Sequence, residues 1–420
     1  MAENLLYWVW LSQCFLPGSD KPNQLLMDFD SPEGFYENGL EQLEEIEYLT
    51  DAERSKIRRT SLDRAEFIIK ECSRLKIQII TLEDSLYPSR LKDVFSAPLV
   101  LYALGNLQGM EELPMITVVG TRNASEYGKR VTGNICYEFA RAGAVVVSGC
   151  AVGIDGYAHL GALKGGGRTI AVLGCGLDVN YPSAHRELKQ QILRKNGALI
   201  TELPPGTEPT STIFPIRNRI MAGISLGTLV TEAPVQSGSL ITAQLALDQG
   251  RDIFCVPPQD IYDSRCFGVV RFLRDGAVPV FCAKDVLSSY FSNYSHVLNV
   301  DRMLDDYTGS KASGTSGQDG GQEKAAMPTR EKVVQQSNVS PADTKDEEED
   351  ISKKPTPPSG LVPDERKVYD CLEYKPKSVD DIVSESGLDM QDVLAHLTAL
   401  EVKGFAYSCS GARYGLLNKS

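Results

Sequence analysis

Met115-Ile116-Thr117-Val118-Val119-Gly120-Thr121-Arg122-Asn123 is the stretch that decides the fold. A short β-branched run, a glycine and then a helical period describe a buried strand turning sharply into a helix. The order recurs at 144–147, 169–173, 198–201, 228–231 and 252–256, each an apolar run ahead of a turn. Continuously apolar strands alternating with helices imply a parallel sheet covered on both faces. The expected centre of the molecule is therefore an α/β, doubly wound, Rossmann-like sheet of the extended kind.

Such sheets bind ligands beyond the carboxyl ends of their strands, where glycines admit the ligand and helix N-termini offer free amides. Four segments qualify. Gly120-Thr121-Arg122 supplies a tight turn, a hydroxyl and a bidentate cation. Ser148, Gly149, Gly153 and Asp155 stand in a second strand–glycine–helix junction, where Asp155 can cap the helix and His159 can serve packing. Phe214-Pro215-Ile216-Arg217-Asn218-Arg219 is the third, with two arginines two apart. On an extended segment they would share a face, whereas on a helix they would diverge by roughly 200°, and an ion-pair role inside the domain is the alternative for each. Gln236-Ser237-Gly238-Ser239, with Thr242 beyond, places hydroxyls around a glycine at a helix entrance and makes an anion nest.

Familiar nucleotide signatures fail. Gly174-Cys175-Gly176 starts a G-x-G-x-x-G whose sixth position is Val179, and the P-loop spacing from Gly161 to Gly166 has Gly167 in place of lysine. With four histidines and no paired-histidine motif, neither a catalytic set nor a metal site emerges, and no cofactor is expected. A row of phosphate-sized anion sites along one sheet edge suits a polyanion better than a mononucleotide.

Charge supports that reading once its distribution is considered. The chain of 420 residues carries −13 overall. Between Met115 and Asp285, however, 17 Lys and Arg face 14 Asp and Glu, leaving +3 there and −16 elsewhere. The ten cysteines show no C-x-x-C pair, which fits unpaired, buried thiols in a reducing compartment. The apolar run from Leu5 to Leu11 has Glu3 where an export signal needs a basic residue, and no stretch approaches the roughly 18 apolar residues of a membrane span. A cytoplasmic protein without a membrane contact is the expectation.

Around the central domain, assigned to 81–300, residues 1–80 read as a small helical cap of the SAM or helix-hairpin-helix kind. Leu5, Trp8, Leu11 and Phe15 form one apolar stripe, and Ile57, Leu62, Phe67, Ile68 and Cys72 another. Residues 301–360 fill with Gly, Ser, Asp, Lys and Pro and read as a disordered linker. Residues 361–420 carry three helical patterns and a hairpin across Ser410-Gly411, a winged helix-turn-helix. Its third helix bears Asp389, Asp392 and Glu401 against Lys403, a poor match to phosphate, so a protein-contact or regulatory role is expected.

From Tyr87 to Ala283 the sequence resembles the DNA-processing protein A (DprA/Smf) family. The likeness rests on Tyr87-Pro88, Gly120-Thr121-Arg122 with Tyr127-Gly128, the Ser148–His159 block, Tyr181-Pro182, Glu202, Phe214 to Ile220, Glu232-Ala233 and Ser237 to Ala243. The resemblance implies single-stranded DNA binding with Arg122 in the groove, a homodimer through the Rossmann-like domain, and loading of a RecA-type recombinase in recombination or natural transformation. It implies no enzyme. Gln236, where the family usually has a cation, together with His185, Pro258 and Val270, departs from the family pattern. Two rivals stand beside this reading. One is a nucleotide hydrolase of the phosphoribohydrolase type using Glu202, Glu232 or Asp155; the other is a scaffold that holds protein partners.

Overall fold

The computed structural model describes residues 2–299, 361–374, 376–402, 405–409 and 413–416. These fall into two compact units, one up to residue 299 and one from 361 onward. The expected linker at 301–360 lies outside the described residues.

Helices α1 (Ala2–Cys14) and α2 (Leu62–Arg74) dominate the N-terminal region. Trp8, Trp10, Leu11, Ile68 and Cys72 are buried there with Tyr102, Leu173 and Leu199 of the sheet domain, in one continuous core. Burying a large apolar side chain is worth about 1.5–3 kcal/mol, so these helices are held to the sheet by the same force that holds the sheet together. Trp10 Nε1 donates to Thr60 O at 2.8 Å, satisfying the polar atom of that indole. Phe67 departs from the expected apolar stripe: it is exposed, under the Arg64 guanidinium.

The sheet has nine strands: β1 (Gln78–Thr81), β2 (Val100–Gly105), β3 (Met115–Val119), β4 (Val145–Ser148), β5 (Thr169–Val172), β6 (Ala198–Thr201), β7 (Gly227–Val230), β8 (Asp252–Cys255) and β9 (Val278–Pro279). Their order is β1-β2-β6-β5-β4-β3-β7-β8-β9. The expectation of an all-parallel sheet needs correcting at one edge, since β2 pairs antiparallel with both β1 and β6. Antiparallel neighbours require no helical crossover, so no strand–helix alternation marks them in the sequence. The remaining pairs are parallel, and every residue of β3 through β7 is buried.

Alternate residues of β3 feed opposite layers. Ile116 and Val118 pack with Ile135 and Phe139 of α3 (Glu126–Ala142) and Ala158 of α4 (Ile154–Lys164). Helix α5 (Arg186–Arg194) covers the same side through Leu188 and Ile192, which pack with Ala171 and Leu199. Met115 and Val119 face Ile220 of α6 (Ile213–Ile224), Ala243 of α7 (Gly238–Asp248) and Val269 of α8 (Phe267–Arg274). From β3 the chain winds through β4, β5 and β6 in one direction, then returns to β7 and winds the other way. The crevice between β3 and β7 is thus the topological switch point, where a doubly wound sheet accepts its ligand.

The second unit has α9 (Pro363–Cys371), α10 (Val379–Ser386) and α11 (Met390–Val402), with β10 (Lys377–Ser378), β11 (Ala406–Cys409) and β12 (Arg413–Leu416) in a sheet of order β10-β12-β11. Ser378 Oγ accepts from Asp381 N and caps α10. Val368, Ile382, Val393, Leu397 and Leu416 fill a core of the unit's own. This is the winged helix expected from the sequence. Residues 410–412, between the two wing strands, lie outside the described residues, as does Lys403.

Candidate nucleic-acid interface

The turn after β3 is held from both sides. Thr121 N donates to Glu232 O at 2.6 Å and Ile154 N donates to Thr121 O at 3.2 Å. At Gly120 a Cβ would come within 2.5 Å of Ile154 and 2.8 Å of Glu232 O, so only glycine lets these backbones meet. The Thr121 hydroxyl accepts from Asn123 N, closing the turn on itself. Arg122 alone projects outward, its guanidinium 5.3 Å from the centre of the Phe214 ring, and among the described residues no acid pairs with it.

After β4, Ser148 plays a different part from the one expected. It is buried and donates to Val118 O at 2.7 Å, stitching β4 to β3 away from the crevice. Asp155 is buried as well and accepts from Gly149 N at 3.1 Å and Ala151 N at 3.3 Å, fixing its own loop. Burial pushes its carboxyl above the usual range, and Arg217 and the two amides oppose that rise. Gly153 has φ +87°, and a Cβ there would lie 2.4 Å from Thr121 O. His159 fulfils its packing role: it is buried, with Nδ1 2.7 Å from Thr169 Oγ1. That hydroxyl donates to Val146 O, so the imidazole carries its proton on Nδ1.

The Phe214 to Arg219 segment is helical, the second of the two conformations open to it. Proline biases its predecessor away from helix, yet Pro215 falls in the first turn of α6, where its missing N–H costs nothing. Arg217 and Arg219 accordingly diverge. Arg217 lies in the crevice wall, donating to Gly149 O at 3.0 Å and to Val172 O, and burial pulls its pKa down. Arg219 points instead to Glu202 at 2.6 Å and Ser96 Oγ at 3.0 Å, in a buried ion pair outside the crevice. Asn218 Nδ2 donates to Gly238 O at 3.2 Å and ties α6 to the start of α7.

At that start, Ser237 Oγ accepts from Ser239 N at 3.3 Å and lies 2.7 Å from Ser239 Oγ. Gly238 is exposed with nothing near its missing side chain, so the backbone at the head of α7 is open to an anion at Gly238, whereas Ser239 N and Leu240 N are already turned to Ser237. Gln236 is exposed beside them.

The segments converge on one cleft of about 350 Å³, whose walls include Gly120, Thr121, Arg122, Asp155, Arg217, Asn218 and Gln236 to Ser239. Gly149 opens onto a smaller neighbouring hollow with Arg122, Tyr181 and Phe214. Among the expected site residues, Ser148, Gly153 and Arg219 support the cleft from outside it. The sequence reading quoted Phe214 but gave it no role of its own; its ring lies under the Arg122 guanidinium, with the tilted Tyr181 ring 5.7 Å away. Its position at the head of the Arg217-Asn218 motif was the available signal. The cleft therefore combines two guanidinium groups, an exposed glycine at a helix start and an aromatic ring.

The three carboxylates available to a hydrolase are already engaged. Glu202 holds Arg219, and Asp155 holds its loop. Glu232, buried, accepts from Ser125 N at 2.9 Å and from the Ser125 hydroxyl, bracing the start of α3. Among the described residues, no cluster of acids, histidines or cysteines could hold a metal ion, and no helix is long and apolar enough to cross a membrane.

The family model described as DNA recombination-mediator protein A matches residues 78–291, which include the entire cleft, and the DprA winged helix domain matches 352–412. Protein Smf of Synechocystis sp. is 33% identical over 418 residues, spanning 97% of this chain and 98% of its own. The chain belongs to the DprA/Smf family. A second member, the DNA processing protein DprA of Bacillus subtilis, is 39% identical over 210 residues, half of this chain and 70% of its own. The X-ray structure of DprA from Streptococcus pneumoniae superimposes with a TM-score of 0.57 at 31% identity, over 66% of this chain and 95% of that one. Membership makes this a DNA-processing protein and places its cleft within the region that the family shares.

Proposed function

We propose that the cleft holds single-stranded DNA and that this protein is a cytoplasmic recombination mediator, protecting the strand and loading a RecA-type recombinase onto it during recombination or natural transformation. The observation that carries the reading is the Arg122 guanidinium lying over Phe214 in the cleft that the exposed Gly238 backbone also lines. A cation, an exposed backbone turn and an aromatic ring together suit a flexible strand whose bases are unpaired, because every base has a face to stack and every linkage a phosphate to neutralise. A duplex hides those faces. The engaged state of Glu202, Glu232 and Asp155 favours binding without catalysis.

The reading includes a homodimer formed through the Rossmann-like domain. Ile241, Leu247 and Val278 expose apolar surface around a hollow of about 700 Å³ on the β9 side of the sheet. A second copy would bring a second cleft and raise affinity through avidity, offsetting the cation missing at Gln236. In this scheme residues 301–360 tether the winged helix, which serves protein contact.

Fluorescence anisotropy with single-stranded and duplex oligonucleotides of graded length, at two salt concentrations, tests the proposal. Preference for single strands that grows with length and weakens with salt is expected. Equal binding of duplex, or release of free base from a nucleotide, would overturn it.

A further inference from the structure

Helices α3 and α4 both begin at the cleft. Arg122 stands four residues before Glu126, and Gly153, whose Cβ would meet the carbonyls of Thr121 and Arg122, directly precedes Ile154. From there the helices run together along the outer face of the molecule. They cross very closely, since a Cβ on Gly161 would lie 2.4 Å from Gly133 O. The close crossing leaves a trough of about 300 Å³ between the side chains that flank it.

Those flanks are basic and aromatic. Lys129, Arg130 and Lys164 line the trough with Tyr137 and Tyr157, against the single acid Glu126. Lys129 pairs with Glu126 at 2.6 Å and lies 6.0 Å from the Tyr157 ring centre. Arg130 and Lys164 are exposed, and among the described residues no acid pairs with either. Tyr157 is 37% exposed, leaving much of its ring to a ligand. In a chain of net charge −13, a surface trough with two unpaired cations and an accessible aromatic ring is matched to an anionic ligand that also stacks.

We infer that the α3–α4 trough is a second, outer segment of the DNA path, which takes the phosphates and a base of a single strand where it leaves the cleft past Arg122. The inference rests on the reading of the cleft as a single-strand site. It assigns Arg130 and Lys164 to phosphate neutralisation and Tyr157 to stacking. A strand confined to the cleft does not reach them.

The test uses the full chain with Arg130→Ala and Lys164→Ala combined, and separately Tyr157→Ala. Both are titrated with an oligonucleotide of about six nucleotides and one of about 20, lengths that bracket common single-strand site sizes. For the longer oligonucleotide the double variant should bind roughly 10-fold more weakly, with a salt dependence flatter by about 1.4, two phosphates at ~0.7 each. Tyr157→Ala should weaken the longer one several-fold at unchanged salt slope. Neither should affect the shorter one. Equal loss on both lengths, or none on either, overturns the outer segment while leaving the cleft standing. If the wild-type protein binds neither length, the cleft reading fails and this inference falls with it.

Discussion

Arg122→Ala isolates the group on which the functional reading depends. The side chain is exposed, its ring contact is the face of Phe214, and its charge is felt by Asp155 and, in the opposite sense, by Arg217, so its removal should cost the fold no more than about 1 kcal/mol, the scale of an exposed cation–π contact. Its effect on the ligand should be much larger. A hydrogen bond to a charged group is worth about 1.5–3 kcal/mol, so losing one arginine–phosphate contact should weaken single-strand binding roughly 10- to 150-fold. The plot of log K against log salt should flatten by about 0.7. Arg122→Lys separates charge from shape: lysine keeps the charge and the slope but lacks a plane that can lie on Phe214 and fork to phosphate. Anisotropy titrations of the three proteins at several salt concentrations read both quantities, and thermal melts confirm the fold. Wild-type affinity and slope in Arg122→Ala would refute the assignment, and full rescue by lysine would refute the role of the plane.

Other consequences follow from the same contacts. Glu202→Gln strands Arg219 in a buried site and should cost about 3–5 kcal/mol in urea unfolding without changing DNA affinity per folded molecule; a loss under 1 kcal/mol would show the pair to be unimportant. Burial holds the His159 pKa near 3 against an ordinary 6.5, so the unfolded chain binds a proton there that the folded one does not, and stability rises with pH across that window. At pH 5 this group should cost roughly 2 kcal/mol relative to pH 8. His159→Asn, which retains a donor toward Thr169, should remove that component, and an unchanged pH–stability curve would contradict it. The isolated 361–420 fragment, with the exposed acids Asp389 just before helix α11 and Asp392 in its first turn, should not bind duplex DNA tightly in a gel shift; nanomolar binding would end the protein-contact reading.

Much of this architecture was legible beforehand because local chemistry and the global fold agree. The strands from Met115 onward are apolar throughout because both faces of the sheet are covered. Gly120 stands at a turn where two backbones meet, and Gly153 where φ is positive, as their positions beside strand ends suggested. What was not legible has specific causes. Pro215 suits an extended chain and the first turn of a helix alike, so the sequence left open whether the two arginines share a face, and α6 separates them. β1 and β2 carry no crossover helix to announce them. Ser148 offered a hydroxyl beside a glycine, and nothing local showed that β3 would consume it.

The order of strand, glycine and helix is a local property, written residue by residue, and from it the chain alone determined a doubly wound sheet, the edge at which such sheets accept ligands and the family to which it is related. Which polar groups remain available at that edge was decided only in three dimensions. Arg219, Glu202, Glu232 and Ser148 look as capable of binding as Arg122, yet each is consumed by a partner between 17 and 107 positions away. A buried polar atom must find such a partner wherever folding brings one, and sequence order does not reveal which it will be.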